Sequence, residues 1–277
     1  MEYLTLELRL SFEQHDNNCL PVNNQYELAG FVYKMLAEAD QKYANEMHRY
    51  GLKSGLRTFK YFTFSRIHLS RNSYQFKGDH LQLKSGKATW KISFSLPATG
   101  FFLFQSLLDN RSLTVGNHSH KAVFAIDEVA FVRIDQEKYH HNRFWAESPI
   151  CVSKPMDMGD GRLVGQYLEP DHPEFSVRLI KNLWQKLYQL DPEHELCSDK
   201  KTLLDILQNH RFEVTKKPKS KLITLKNGKT DQTKVRGYLF EFMLDIPEPL
   251  LQVGLGAGMG EKNAMGFGMV SLKRKAS

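Results

Sequence analysis

Six glycines fall within fifteen positions near the end of the chain: Gly254, Gly256, Gly258, Gly260, Gly266 and Gly268. Glycine has no Cβ, so such a run lets the backbone turn tightly, enter positive φ and approach a neighbour too closely for any side chain. Apolar residues flank the run, with Leu250, Leu251 and Val253 before it and Met269 and Val270 after it. The stretch therefore reads as a loop held inside a domain. Lys262 supplies positive charge, and Asn263 supplies a donor and an acceptor. Together they suit a polyanionic ligand.

Two familiar phosphate-binding readings fail on spacing. A dinucleotide-binding unit needs a helix and the rest of a βαβ unit after its glycines, and nine residues follow Gly268. Gly256 to Asn263 lacks the Gly-Lys-Ser/Thr ending of a nucleotide-binding loop.

The chain has 277 residues, enough for two ordinary cores. Its formal net charge of +7 favours an anionic partner. Cys19, Cys151 and Cys197 are widely spaced and form neither a zinc pattern nor a disulfide framework. They read as the reduced thiols of a cytoplasmic protein. No apolar run approaches the roughly 18 residues of a membrane span. The opening alternation from Tyr3 to Leu10 reads as a strand and not as a signal peptide.

Periodicity predicts an α+β chain. Residues 3–12 alternate as a strand, and Leu28, Phe31, Val32, Met35 and Leu36 mark one face of a helix over 25–38, capped by Asn23 or Asn24. A β-rich segment covers 59–65. Strands at 81–84 and 87–96 are expected to form a hairpin through Ser85-Gly86. A helix over 100–109 and strands near 120–134 complete a β-α-β-β-α-β unit with one extra hairpin, the pattern of a ferredoxin-like domain. Polar residues 136–143 read as a connector. The second half is expected to hold a strand at 148–154, helices at 172–190 and 200–209, and strands at 222–226, 235–245, 250–254 and 266–272.

At the chain's end, Gly258-Met259-Gly260-Glu261-Lys262-Asn263, followed by Gly266-Phe267-Gly268, resembles the C-terminal signature of the Cas6 family of CRISPR RNA-processing endoribonucleases. Further landmarks occur in the family's order. Leu20-Pro21-Val22-Asn23-Asn24-Gln25-Tyr26 opens the first helix, His48 follows, Phe62-Thr63-Phe64-Ser65 resembles the next strand, and Ala146-Glu147-Ser148-Pro149-Ile150 resembles the start of the second domain. The resemblance implies two tandem ferredoxin-like domains, over 1–135 and 136–277, the second embellished. It implies cleavage of CRISPR precursor RNA once within each repeat, with no cofactor and no metal. The implied partners are the precursor, the processed guide RNA and a multi-subunit interference complex; a homodimer is left open. A non-catalytic repeat-RNA-binding subunit is the alternative.

RNA carries its own nucleophile, the ribose 2′-hydroxyl. Cleavage needs a group that moves protons near neutrality and donors or cations around the phosphate. His48, in Met47-His48-Arg49-Tyr50, meets the first need and matches the family's acid–base histidine. Tyr33 falls off the apolar stripe of its helix, so its hydroxyl is expected to face a cleft. The resemblance makes Tyr33 a catalytic tyrosine and Lys53 the cation on the scissile phosphate, with Arg49 beside them as an RNA contact. The glycines of the C-terminal loop, with Lys262 and Asn263, are expected to approach the RNA backbone, while Phe267 is expected to anchor the core. Lys216, Lys217, Lys219 and Lys221 form a second basic feature, read as a loop and a phosphate track. His68, near Arg66 and Arg71, is a further RNA candidate, and His140 and His141 read as linker residues. His118 and His120 lie two apart and could hold a metal only with ligands from elsewhere.

Overall fold

Strict alternation makes the first strand. In β1 (Leu4–Phe12), Leu6, Leu8, Leu10 and Phe12 all turn inward and are buried. The computed structural model describes residues 3–49, 52–54, 57–117, 119–132, 137, 139–157, 159, 161 and 163–275; the side chains of 46–49, 52–54, 57 and 163 lie outside that description. After β2 (Cys19–Pro21) comes α1 (Gln25–Ala39), with Leu28, Phe31, Val32, Met35 and Leu36 on its buried face, as the spacing predicts. Asn24 occupies the N-cap, but its side chain donates to Pro21 O at 2.9 Å and makes no capping bond. A second helix, α2 (Gln41–Arg49), follows at once and carries His48 and Arg49.

The first half continues through β3 (Leu52–Ser54), β4 (Arg57–Phe59), β5 (Phe62–Phe64), β6 (His68–Leu69), β7 (Tyr74–Lys77), β8 (His80–Leu83) and β9 (Gly86–Phe94). It closes with α3 (Pro97–Asp109), β10 (Ser112–Gly116) and β11 (Lys121–Phe131). The second half comprises β12 (Tyr139–Ala146), β13 (Ser153–Asp157), β14 (Leu163–Tyr167), α4 (Glu174–Leu190), α5 (Lys200–Asn209), β15 (Arg211–Leu225), β16 (Thr233–Asp245), α6 (Glu248–Ala257) and β17 (Val270–Arg274).

Two antiparallel sheets organise these elements. The first runs β10-β11-β1-β9-β5, with β6 also on β9; the second runs β15-β16-β12-β17. With the edge strands β6 and β10 set aside, both sheets place the last strand beside the first, the first beside the third, and the third beside the second in chain order. Each half buries its own core. One is built on Leu6, Trp90, Phe94 and Leu103, the other on Phe144, Phe175, Leu183 and Phe242. The halves also exchange residues, since Tyr61 from the first sits in the second core and Ala264 from the second sits in the first.

Several expectations are corrected. Ser85-Gly86 does not join a hairpin: β8 pairs with β2 and β7, while β9 pairs with β1, β5 and β6. The real hairpin is β7–β8, turned at Gly78 with φ +76°. Residues 139–143 of the expected connector belong to β12, the first strand of the second sheet. The strand expected at 148–154 reduces to an isolated bridge between Ile150 and Tyr238 before β13 begins. Residues 250–254, expected as a strand, belong to α6. The lysine run lies within β15 and not in a loop. No helix among the described residues is long and apolar enough to cross a membrane.

Candidate functional site

The glycine-rich stretch begins as the helix α6. Pro247 and Pro249 start α6, and seven of its ten residues are buried. A Cβ on Gly256 would lie 2.5 Å from Ser95 Oγ and 2.7 Å from Tyr3 Cβ. The missing side chain lets α6 of the second half press against β9 of the first, where Ser93 Oγ donates to Leu255 O at 2.8 Å. Gly268 is confined for a different reason. Its φ is +77°, and a Cβ there would stand 2.0 Å from Met259 O.

All six glycines are buried, and protein fills the space beside them. A Cβ on Gly256, Gly258 or Gly260 would strike the protein itself, so the missing side chains serve the fold's own packing. Gly268 N donates to Pro149 O and Gly266 N donates to Asn263 O, both at 2.9 Å, so the protein itself uses these donors. Phe267 is fully buried, the anchor the sequence predicts.

What the loop does present is its tip. A cleft of about 620 Å³ is lined by Tyr26 and Tyr33 from α1, by residues 58–61, by Asn182 and Lys186 of α4, and by residues 260–265 of the loop. Four lysines on its wall, Lys60, Lys186, Lys226 and Lys262, face two carboxylates, Asp231 and Glu261. Asp231 is paired with Lys226, and Glu261 accepts from Ser153 Oγ at 2.9 Å. The balance favours an anion.

Tyr33 reaches this cleft with its ring packed edge-on against Phe62, centroids 5.5 Å apart. Burial pushes its phenol above the ordinary value, so at neutral pH it carries its proton and can donate a hydrogen bond. Lys53 lies on β3, directly opposite Thr58 of β4, and Thr58 lines the cleft. His48 and Arg49 lie on α2. The side chains of His48, Arg49 and Lys53 are outside the described residues. The structure thus brings Tyr33, Gly260, Lys262 and Asn263 together on one wall. Lys216, Lys217, Lys219 and Lys221 are exposed along β15 and absent from that wall. Lys216 pairs with Glu241 at 2.6 Å.

Sequence reasoning missed Lys186. It is fully buried, and its Nζ donates to Gly258 O at 2.7 Å, Gly260 O at 3.1 Å and Asn263 Oδ1 at 2.8 Å. Three acceptors match the three N–H groups of an ammonium. Burial pushes its pKa down to about 7, and Glu261 pulls it back up. Asn182, one turn earlier, is buried on the same wall, and its Oδ1 has no hydrogen-bond partner among the described residues. A signal existed. Phe175, Leu179, Asn182 and Lys186 follow the i, i+4, i+7, i+11 spacing of one helix face, so two polar residues sit in an apolar stripe.

A second polar knot ties the halves together. Glu147 is almost fully buried; its Oε1 accepts from Lys91 Nζ at 3.0 Å and Ser271 Oγ at 2.8 Å. His68 Nε2 stands 2.9 Å from Oε2, close enough for an ion pair but off the line of a hydrogen bond. Burial alone would raise this carboxyl, but His68, Lys91 and Ser271 outweigh it and hold the group below its ordinary value.

Comparisons with known proteins agree with this architecture. Residues 134–272 match the family described as CRISPR associated protein Cas6, C-terminal, and residues 19–129 match CRISPR-associated protein Cas6, N-terminal. The chain is 30% identical over 273 residues to CRISPR-associated endoribonuclease Cas6 1 of Methanocaldococcus jannaschii, covering 97% of this chain and 92% of that protein. It is 25% identical to CRISPR-associated endoribonuclease Cas6 of Pyrococcus furiosus, covering 92% and 84%. A solved structure titled CRISPR associated protein Cas6 superposes with a TM-score of 0.72 at 27% identity, covering 98% of this chain and 100% of that one. With both halves matched in order, the chain belongs to the Cas6 family of CRISPR-associated endoribonucleases.

Proposed function

We propose that this chain cuts CRISPR precursor RNA within each repeat by attack of a ribose 2′-hydroxyl, without a metal ion. The observation that carries this reading is the cleft between the halves, where Tyr33 and the lysine-rich wall converge with the tip of the glycine loop. In this reaction the 2′ oxygen loses its proton and bonds to phosphorus. The bond to the 5′ oxygen breaks, and that oxygen takes up a proton, leaving a 2′,3′-cyclic phosphate and a 5′-hydroxyl. His48 moves the protons, Lys53 neutralises the charge that builds on the phosphate, and Tyr33 orients the 2′-hydroxyl by donation. The raised phenol of Tyr33 supports the role of donor over that of base. Lys262 and Asn263 hold the RNA backbone, with Arg49 beside the catalytic group. The exposed lysines of β15 extend the track. The shared strand order of the two sheets supports a pair of tandem ferredoxin-like units, the second enlarged by β13, β14 and α5. The partners are the precursor, the guide RNA and, through the guide, an interference complex.

Purified protein with its cognate repeat RNA and excess EDTA is expected to give one defined cut with these ends. A strict requirement for magnesium overturns the mechanism. His48→Ala is expected to slow cleavage by about 10²–10⁴-fold while changing RNA binding far less. Unchanged cleavage by the folded variant removes His48 from the reaction.

A further inference from the structure

Away from the cleft, the ligands that His120 lacked in sequence are supplied by the fold. Asp79 occupies the turn between β7 and β8, His80 opens β8, and His120 immediately precedes β11. The two imidazoles stack with centroids 4.0 Å apart and planes 21° apart. Asp79 Oδ1 is 2.9 Å from His80 Nδ1, and Asp79 Oδ2 is 3.8 Å from His120 Nδ1. One ligand atom from each residue lies within 4.8 Å of the other two. His118 lies outside the described residues.

The scaffold beneath these side chains is fixed by one buried residue. Asn18 accepts from Leu83 N at 3.0 Å through its carbonyl and from Val123 N at 3.0 Å through Oδ1, so it ties β8 to β11. Asp79 is held by its own carbonyl, which accepts from Val22 N at 2.9 Å. The turn before His120 is closed by Asn117 Oδ1, which accepts from His120 N at 2.9 Å. The two histidines therefore meet because two separate hairpins are tied together, and their backbones need not move to share a ligand.

We propose that Asp79, His80 and His120 form a binding site for a divalent ion of the zinc class, held by Nδ1 of each imidazole and one carboxylate oxygen, with water completing the shell. Zinc bound to nitrogen and oxygen at about 2.0–2.1 Å in a tetrahedron sets its ligands about 3.3 Å apart. Asp79 offers Oδ1 to His80 at 2.9 Å and Oδ2 to His120 at 3.8 Å, separations on either side of that edge, and the two imidazoles rotate out of their stack to aim both Nδ1 lone pairs at one ion. Two imidazoles and one carboxylate select zinc, cobalt, nickel or copper over calcium and magnesium, which take mostly oxygen ligands. None of the three residues lines the cleft. The ion would clamp the β7–β8 hairpin to the β10–β11 hairpin and take no part in cleavage.

The test uses the full chain, stripped with chelator, dialysed and titrated calorimetrically with ZnCl₂ or CoCl₂ alone. One ion per chain is expected, with a rise in melting temperature. Asp79→Asn and the double variant H80A/H120A are expected to lose affinity by at least about 10–100-fold. H140A/H141A, which removes the adjacent histidines of β12, is expected to bind as the unmodified protein does. Asp79 is exposed, so D79N keeps the test valid if the double variant fails to fold. Absence of stoichiometric binding, or binding unchanged in D79N and H80A/H120A, overturns the proposal. Cleavage of repeat RNA in EDTA is expected to be the same in D79N and the unmodified protein, which separates this site from the cleavage reaction.

Discussion

α3 and α6 occupy the same place in two sheets of the same strand order, yet they do different work. α3 buries one side, through Thr99, Leu103, Ser106 and Leu107, and leaves Phe101 and Leu108 largely exposed. It covers the sheet of its own half. α6 is buried nearly all round, and it packs on its own half while touching β9 and β5 of the other. It then runs on into the loop that lines the cleft. The contrast shows how a repeated topology acquires one functional copy: glycine in the second helix lets it approach a foreign sheet, and the loop after it inherits a fixed position between the halves.

The strongest way to break this contrast is to remove the clamp on that loop. Lys186→Met leaves Gly258 O, Gly260 O and Asn263 Oδ1 without their shared donor. It is expected to destabilise the protein by about 2–4 kcal/mol in chemical denaturation and to weaken RNA binding. Wild-type stability would show that water serves the loop equally well.

Gly256→Ala attacks the approach of α6 itself. Overpacking against Ser95 and Tyr3 is expected to cost about 1–3 kcal/mol, read in the same assay. A neutral result would mean that the helix can draw back from β9 without consequence.

The Glu147 knot sharpens the comparison by testing the contact between halves apart from α6. Its folded pKa is depressed from an unfolded reference of 4.5. Its stabilisation is therefore complete above about pH 4.5 and lost as pH falls through the lower folded value. The melting-temperature gap between the unmodified protein and Glu147→Gln is expected to be full near neutrality and to narrow as the pH falls below about 4.5. A gap independent of pH would assign the effect to packing.

Gly100→Ala is the smallest effect and has the opposite sign. A Cβ there meets Phe94 and Leu4 at 3.4 Å or more, which is ordinary contact. The gain in helix propensity is expected to stabilise the protein by up to about 1 kcal/mol. A loss equal to that of Gly256→Ala would erase the distinction between the two helices.

The regular helices were legible because their apolar residues recur at helical spacing. Leu28, Val32, Met35 and Leu36 of α1, and Phe175, Leu179, Leu183 and Leu187 of α4, are buried as their period predicts. α6 was not legible. It is short, apolar on every side and broken by glycine, so neither period stands out and a strand reading competes on equal terms. The strands beside Ser85-Gly86 were legible, but their partners were not. Alternation fixes which face of a strand is buried and says nothing about which strand lies next to it.

The sequence by itself determined the alternating and helical segments, the positive charge and the glycine loop with its family resemblance, because each is a property of residues close together in the chain. Tertiary structure decided that the glycines face protein, that Lys186 holds the loop from a helix more than seventy positions away, and that His80 meets His120. Those facts depend on contacts between distant segments, and such contacts exist only once the two cores have closed and set the segments against each other.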